Sequence, residues 1–287
     1  MSGLHVPILC SMPRTTLAVA LVSDVFFGPD AKPRLISRLE EARKLGAELA
    51  VLPEIALLPW SPATREVRAE DAEPPRGPRA RILCDCAKTA GIAVLGGLIE
   101  RDEKGRRFNT ALLVDEEGKR CFSYRKIHLP EESGFWETSH YEPGTEPPRV
   151  LEQAGFPFGV QICSDSNRPV LTHALSAMGA EAILAPRATE STTWESWKLV
   201  FRANALTASV YVLSVNRPAP EQGVPLGGPS FACDPMGEVL LETTDPVAVV
   251  TLDRAIVARA RKDYPGYLKT PAELYEKTWK SACAALT

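Results

Sequence analysis

Apolar runs and segments of helical periodicity alternate along residues 15–215. The first apolar run, residues 15–22, is rich in β-branched side chains and predicts a strand, and residues 31–45 place apolar side chains at helical spacing before Gly46, a residue that often ends a helix. Further strands are predicted at residues 47–52, 92–99, 109–115, 121–127, 182–185 and 211–215, and further helices at residues 78–90, 169–178 and 193–207. This alternation is typical of an α/β protein in which helices cover a sheet.

The last third of the chain has a different pattern. Residues 230–234, 239–242 and 248–253 predict three strands of a meander around Pro235-Met236-Gly237, and a charged helical tail is predicted from residue 271. There is no internal repeat, and the short proline-rich stretches interrupt a pattern that continues on both sides of them. We therefore expect a single domain over residues 1–287, with residues 265–287 as a C-terminal tail used in packing or oligomerisation.

Composition excludes some classes of function. The chain has 287 residues, a formal net charge of −3 and a sequence pI near 5.9, so electrostatics give it no reason to bind nucleic acid or an anionic membrane. The seven cysteines are an odd number, and the N-terminus lacks the basic and apolar stretches of a secretory signal. No apolar run is long enough to cross a bilayer. These features predict a cytoplasmic protein that acts on a small molecule.

Three predicted strands end in or are followed by residues with reactive or charged side chains. Cys163 follows the apolar run 159–162, Glu54 follows residues 49–53, and Lys126 lies at the end of the strand predicted at 121–127. A thiol needs a base to become a nucleophile, and a nearby cation favours the thiolate. Each residue alone has a structural interpretation: a cysteine is often a small buried hydrophobe, and the two charged residues suit a loop and a solvated strand end. It is the combination that favours acyl transfer by a cysteine.

The flanking residues strengthen this interpretation. Leu-Pro-Glu at 52–54, Tyr-Arg-Lys-Ile-His-Leu at 124–129 and Ile-Cys-x-Asp at 162–165 occur in the order found in the carbon-nitrogen hydrolase (nitrilase) superfamily, which the chain resembles over residues 15–253. Phe108-Asn109-Thr110-Ala111, Gly134-Phe135-Trp136-Glu137 and Ser214-Val215-Asn216-Arg217 continue the likeness. The resemblance implies a four-layer α-β-β-α sandwich, which periodicity alone does not distinguish from a doubly wound sheet. It also implies a homodimer or higher homo-oligomer, and a reaction without a cofactor or metal.

The resemblance assigns roles to particular residues. It implies a Glu54-Lys126-Cys163 triad, with Glu137 as a second catalytic glutamate and with Lys126 and the Ser164 backbone N–H stabilising the oxyanion. The candidates for binding the substrate are residues near these motifs, namely Trp136, His140, Arg168, Arg187 and Trp194. Packing is the alternative for the two tryptophans, and a structural role is the alternative for the two arginines.

The chain departs from the family pattern beside the nucleophile. D-amino-acid carbamoylases carry arginines for the substrate carboxylate where this chain has Ser166 and Asn167, and the segment 202–208 lacks the usual Glu-Asn after Leu206. Glu137 and the helix around Trp194 look closer to the amidase and N-carbamoyl amide hydrolase branch than to nitrilases. The expected reaction is therefore hydrolysis of a small linear amide or N-carbamoyl amine through a cysteine thioester. The alternatives are a nitrile substrate, transfer of the acyl group to an amine, or a non-catalytic binding or assembly subunit of the same fold.

Overall fold

Two six-stranded sheets and a short ribbon organise the chain. The computed structural model describes residues 15–286. The prediction of no secretory signal depends on the N-terminal stretch, which lies outside these residues. The first sheet has the order β14-β1-β2-β3-β4-β5. Its strands are β1 (Thr16–Val22), β2 (Leu49–Val51), β3 (Ala93–Arg101), β4 (Arg107–Val114), β5 (Arg120–Arg125) and β14 (Val247–Asp253).

The second sheet repeats the arrangement of the first. Its order is β13-β12-β11-β10-β9-β8. Its strands are β8 (Leu151–Gln153), β9 (Phe156–Val160), β10 (Ala182–Pro186), β11 (Tyr211–Val215), β12 (Ser230–Cys233) and β13 (Val239–Thr243). In each sheet three parallel strands form the centre, β1-β2-β3 or β9-β10-β11, and antiparallel strands flank them. The ribbon pairs β6 (Glu131–Glu132) with β7 (Phe135–Trp136).

Helices cover the outer face of both sheets. The helices are α1 (Ala31–Lys44), α2 (Pro78–Ala90), α3 (Glu137–His140), α4 (Pro169–Ala177), α5 (Trp194–Ala208), α6 (Arg254–Ala260) and α7 (Ala272–Leu286). Helix α2 has the predicted bounds, because Pro78 suits the first turn and Gly91 ends the helix with a left-handed φ of 63°. Helices α1 and α2 pack on the first sheet and helices α4 and α5 on the second.

Both faces of the central strands are buried, which explains their uninterrupted apolar sequences. In β1, Val19 and Leu21 point into the core between the two sheets, whereas Ala20 and Val22 point into the core under α1 and α2. Leu184 in β10 faces the inter-sheet core, and Ile183 faces the core under α5. The layers therefore run α-β-β-α, and the fold predicted from the family resemblance is confirmed.

The predicted C-terminal meander is wrong in its last strand. Strands β12 and β13 form a hairpin, but β14 leaves the second sheet and pairs antiparallel with β1 from Val22↔Val247 to Thr16↔Asp253. The edge of the first sheet beside β1 offers a full ladder of hydrogen bonds, and local sequence carries no information about which edge a strand will join. Strand β14 therefore connects the two sheets.

The C-terminal tail ends in helix α7, whose described side chains are exposed apart from the partly buried Ala282. Leu274, Tyr275 and Trp279 are each more than half exposed. The beginning of the tail lies against the rest of the chain, because Gly266 is close to Ala260 and Ser209. The use of the tail in packing or oligomerisation stays a prediction. Among residues 15–286, no helix combines the length and apolarity required to cross a bilayer.

Candidate active site

Three strand ends bring the predicted catalytic residues to one place. Glu54 lies three residues after β2, Lys126 follows β5 directly, and Cys163 lies three residues after β9. Strand β5 runs in the same direction as β2, because two antiparallel pairings separate it from β3. The carboxyl ends of parallel strands share an edge of their sheet, and the two sheets face each other, so these ends meet across the inter-sheet core.

The Lys126 ammonium is held between two carboxylates. Its Nζ donates to Glu54 Oε1 at 2.7 Å and to Glu137 Oε1 at 2.6 Å, and none of the three side chains is exposed to solvent. Asn109, on β4, donates from Nδ2 to Glu54 Oε1 at 2.7 Å and to Glu137 Oε2 at 3.5 Å. A buried charge is tolerated only when it is paired and hydrogen-bonded, and this cluster provides both conditions.

Burial and the neighbouring charges shift the pKa values in this cluster. Burial alone would lower the pKa of Lys126, but Glu137 and Glu54 outweigh it and raise that pKa well above its usual value. Burial raises the pKa of Glu137 to about 7, with Lys126 opposing the shift and Glu54 adding to it. Lys126 is therefore charged at neutral pH, and Glu137 changes its protonation state near neutrality.

Cys163 is a neutral thiol on a strained turn. It begins the short 3-10 helix Cys163–Asn167 with a left-handed φ of 49°, an unfavourable conformation for a residue with a Cβ. Its Sγ–H donates weakly to the Ala188 carbonyl at 3.7 Å. Burial is the largest cause that raises the pKa of Cys163, Glu54 adds to it, and Lys126 opposes it. The thiol consequently requires a base when it reacts.

Two polar groups near Cys163 have no hydrogen-bond partner among residues 15–286. Glu54 Oε2 is buried and has no hydrogen-bond partner, so it is available to accept a proton. The Ser164 backbone N–H donates to no acceptor within the described part of the chain, while the Ser164 hydroxyl donates to the His128 carbonyl at 2.5 Å. A free N–H directly after a nucleophile suits an oxyanion.

Asp165 ties the Cys163 turn to the Lys126 strand end. Its buried carboxylate accepts hydrogen bonds from the Tyr124 hydroxyl at 2.8 Å, from the His128 backbone N–H at 2.9 Å and from the Ile162 N–H at 3.1 Å. His128 Nδ1 contacts the same carboxylate at 2.8 Å. The sequence motif included Asp165 but gave it no role. A carboxylate with this many donors orders both segments at once.

Arg217 holds the loop that carries Glu54. Its guanidinium donates to the carbonyls of Glu54, Ile55 and Leu58, each at 2.8 Å, and forms an ion pair with Glu221 at 2.6 Å. Ile55 has a left-handed φ of 49°, which is costly for a β-branched residue and needs such outside support. Together with Asn109 and Asp165, Arg217 is a functional candidate that sequence reasoning missed, although all three lie in motifs that resembled the family.

A cavity of about 130 Å³ opens beside Cys163. This volume is small compared with the several hundred Å³ of typical ligand pockets, and it suits a short linear molecule. The cavity is lined by residues from the ribbon, the Cys163 turn, the loop after β10 and helix α5, namely Pro130, Glu132, Phe135, Cys163, Ser164, Asn167, Ala188, Thr189, Glu190, Thr193 and Trp197.

The side chains predicted to bind substrate do not line this cavity, and two of them lie near the ribbon. Trp136 is stacked under the Arg65 guanidinium, which lies 4.0 Å from the ring centroid. His140 is buried, with Nε2 at 2.7 Å from the Thr64 carbonyl. A strand turns successive side chains to opposite faces, so it is Phe135 and not Trp136 that lines the cavity, and His140 is a packed residue of α3. A role of Trp136 or His140 in binding the substrate stays a prediction.

The other three predicted substrate residues also face elsewhere. Arg168 is exposed, and its guanidinium donates to the neighbouring Asn167 carbonyl at 3.4 Å. Arg187 is fully buried, and its nitrogens donate to Thr189 Oγ1, Ser214 Oγ and the Pro229 carbonyl. Burial lowers the pKa of Arg187 to about 9, with Cys163 opposing the shift. Neither arginine is placed to receive a substrate carboxylate.

Trp194 is likewise a packing residue. Its ring lies 5.3 Å from that of Phe231, and its Nε1–H donates to Glu242 at 2.7 Å. Trp197, three residues later on α5, reaches the cavity instead. Within residues 15–286, no cluster of three or more His, Cys, Asp or Glu side chains is arranged to hold a metal ion.

The chain is similar to known proteins over most of its length. Residues 33–262 match the family model described as carbon-nitrogen hydrolase. The chain is 30% identical over 250 residues to the chloroplastic omega-amidase of Arabidopsis thaliana, covering 83% of this chain and 67% of that protein. It is 33% identical over 229 residues to a nitrilase of Pyrococcus abyssi, covering 78% of this chain and 83% of the other. Among solved structures, an amidase from Nesterenkonia superposes with a TM-score of 0.74 at 26% identity, covering 92% of this chain and 97% of that one.

Proposed function

The chain belongs to the carbon-nitrogen hydrolase family, and from this premise we propose that it hydrolyses the C–N bond of a small linear amide or N-carbamoyl amine through a thioester on Cys163. The observation that carries the proposal is the buried Lys126 ammonium shared by two carboxylates beside a cysteine at the mouth of a cavity. A hydrolase of carbon-nitrogen bonds needs a nucleophile, a base and a positive charge for the oxyanion, and this cluster contains all three.

In the first half of the reaction, Cys163 attacks the carbonyl carbon. Its thiol proton moves to Glu54, whose Oε2 has no other partner, while the new C–S bond pushes the carbonyl electrons onto oxygen. The Lys126 ammonium and the Ser164 N–H stabilise the resulting oxyanion. When the tetrahedral intermediate collapses, the C–N bond breaks and the leaving nitrogen takes the proton from Glu54. The acyl or carbamoyl group remains on sulfur.

In the second half, water takes the place of the amine. Glu54, or Glu137 in its ionised form, accepts a proton from water, which attacks the thioester carbon, and the oxyanion forms again in the same position. The C–S bond then breaks and the sulfur recovers a proton. Because burial raises the pKa of Glu137 to about 7, this carboxyl can both accept and return a proton near neutral pH.

A solved relative supports a nucleophilic role for the cysteine. In a variant of the Nesterenkonia amidase, the acetamide moiety of fluoroacetamide is covalently attached to the active-site cysteine. In this chain we propose the Cys163 sulfur as the nucleophile, and the Ser164 backbone N–H follows it directly.

The decisive experiment is intact-mass spectrometry after brief exposure to panels of carboxamides, N-carbamoyl amines and nitriles, with ammonia release measured in parallel. We expect an acyl or carbamoyl adduct on the wild type that is lost in Cys163→Ala and kept in Cys121→Ala, a matched change at an exposed cysteine. An adduct that persists in Cys163→Ala would remove the nucleophile from the proposal. Ammonia from nitriles alone would favour the nitrile alternative, and no adduct or ammonia from any panel would favour a binding subunit.

A further inference from the structure

The charges around the cavity distinguish between classes of amide. Its lining includes Glu132 and Glu190, and no Lys, Arg or His is among the lining residues. Within the part of the chain that the structure describes, neither carboxylate has an ion-pair partner. The rim of the cavity is therefore negative.

The cations that flank this region are engaged elsewhere. Arg65 pairs with Glu131 at 3.0 Å, and Lys198, next to the cavity residue Trp197, pairs with Glu242 at 2.6 Å. Arg187 lies behind the cavity wall, where all of its donating nitrogens are already bonded to neutral acceptors. Within residues 15–286, no guanidinium or ammonium lines the cavity. The Lys126 ammonium near Cys163 is enclosed by its own two glutamates, and Arg187 is fully buried.

The aromatic residues of the lining also favour a cationic ligand. Phe135 and Trp197 line the cavity together with Glu132 and Glu190. Aromatic faces attract cations, and carboxylates accept hydrogen bonds from ammonium groups. An anionic ligand would meet repulsion from two carboxylates without a counter-charge, in a region of reduced dielectric where such repulsion is larger than in bulk water.

We propose that the substrate carries a positively charged amine at the end remote from the scissile carbonyl, and that Glu132 and Glu190 select it over an amide that carries a carboxylate. This inference rests on the proposed function and narrows it to one substrate class. The small volume of the cavity limits the spacer between the ammonium and the carbonyl to a few methylene groups.

The first test compares three compounds of similar size and different charge: 4-aminobutanamide, butanamide and succinamate, together with the corresponding ureas. We expect kcat/KM to fall in the order cationic, neutral, anionic. The ratio of the cationic to the anionic compound should fall about fivefold for Glu132→Gln or Glu190→Gln alone and by more than tenfold for the double variant. It should also fall as ionic strength rises. Glu103→Gln, a matched change at an exposed turn away from the cavity, should leave the ratio unchanged.

The second test does not require turnover and separates this inference from the proposed function. Peptide mass mapping measures how fast methanethiosulfonate reagents modify Cys163. Cationic, neutral and anionic reagents are compared, and each rate is normalised to the rate of the same reagent with a free thiol. The wild type should favour the cationic reagent relative to Glu132→Gln/Glu190→Gln, and Glu132→Lys/Glu190→Lys should favour the anionic one.

The outcomes are distinguishable. Hydrolysis of all three amides without charge preference, or preference for succinamate, overturns the inference and leaves the proposed function standing. If none of the compounds is hydrolysed, the proposed function fails for this class, and the modification rates still decide whether the cavity selects by charge. A reagent ratio that is the same in the wild type and in both double variants overturns the inference. Circular dichroism of each variant confirms that it folds.

Discussion

Replacing Lys126 by methionine tests the electrostatic arrangement of the site directly. Methionine has a similar length but no charge, so the substitution keeps most of the packing and removes the ammonium that lies 2.7 Å from Glu54 Oε1 and 2.6 Å from Glu137 Oε1. Two fully buried carboxylates would then share one site without a counter-ion. Breaking a buried ion pair by removing one partner costs about 3–5 kcal/mol, a large part of the total stability of a typical domain.

The loss of stability should depend on pH with a defined sign. In the wild type, burial raises the pKa of Glu137 to about 7 from an unfolded value near 4.5. A raised pKa means that the contribution of this group to the free energy of unfolding is complete below about pH 4.5 and is lost as pH rises through 7, a change of about 3 kcal/mol. Lys126 opposes this shift, so its removal raises the pKa of Glu137 further and moves the loss of stability to higher pH.

The assay is urea unfolding of the wild type and Lys126→Met between pH 5 and pH 8. We expect a difference of about 3–5 kcal/mol at pH 8 and a smaller one at pH 5, where protonation of one carboxyl lets it donate a hydrogen bond to the other. Lys126→Met/Glu137→Gln should recover at least about 1 kcal/mol at pH 8, because one of the two unpaired charges is gone. Turnover should fall about 100-fold or more in both variants.

Lys32→Met is the matched control. Lys32 Nζ also lies 2.7 Å from a carboxylate, that of Asp85, but both side chains are about half exposed, so the same substitution should leave no comparable pH-dependent loss. A difference below about 1 kcal/mol for Lys126→Met at pH 8, or an equal difference at pH 5 and pH 8, would refute the view that the ammonium balances two buried carboxylates.

Three further predictions concern the residues that support the site. Glu137→Gln should flatten the dependence of the unfolding free energy on pH between about 4.5 and 7, and an unchanged slope in urea titrations would show that another group is responsible. Asp165→Asn should lower the unfolding free energy by about 3 kcal/mol, because the NH2 group of asparagine cannot accept the hydrogen bonds that backbone N–H groups and the Tyr124 hydroxyl donate to the Asp165 carboxylate. A stable variant with normal kcat would contradict this role. Gly97→Ala would place a Cβ against the Ile55 backbone nitrogen and should reduce kcat by shifting the loop after Glu54. Gly105→Ala, with no atom within 4 Å, should cost only about 1 kcal/mol for its positive φ and leave kcat unchanged.

The sequence pattern alone determined the α/β class of the fold and the ends of the strands that form the site, whereas the family resemblance implied the four layers. Both signals are local: a strand buried on both faces needs an uninterrupted apolar run, and a change to polar residues marks where it leaves the core. Glu54, Lys126 and Cys163 were predicted in this way, with the family resemblance supplying their order. Whether they met in space depended on strand directions, which the structure shows to be compatible.

Only the tertiary structure decided which neighbouring side chain faces the cavity. The sequence identified the right segments, but Phe135 lines the cavity where Trp136 was predicted, and Trp197 lines it where Trp194 was predicted. One residue along a strand reverses the direction of a side chain, and three residues along a helix rotate it by about 60° relative to the starting position. Hydrophobic periodicity cannot resolve that choice, because both aromatic residues of each pair are at least partly buried. Tertiary packing therefore determines which residues line the ligand cavity, whereas the residues at the strand ends determine the chemistry that acts on the ligand.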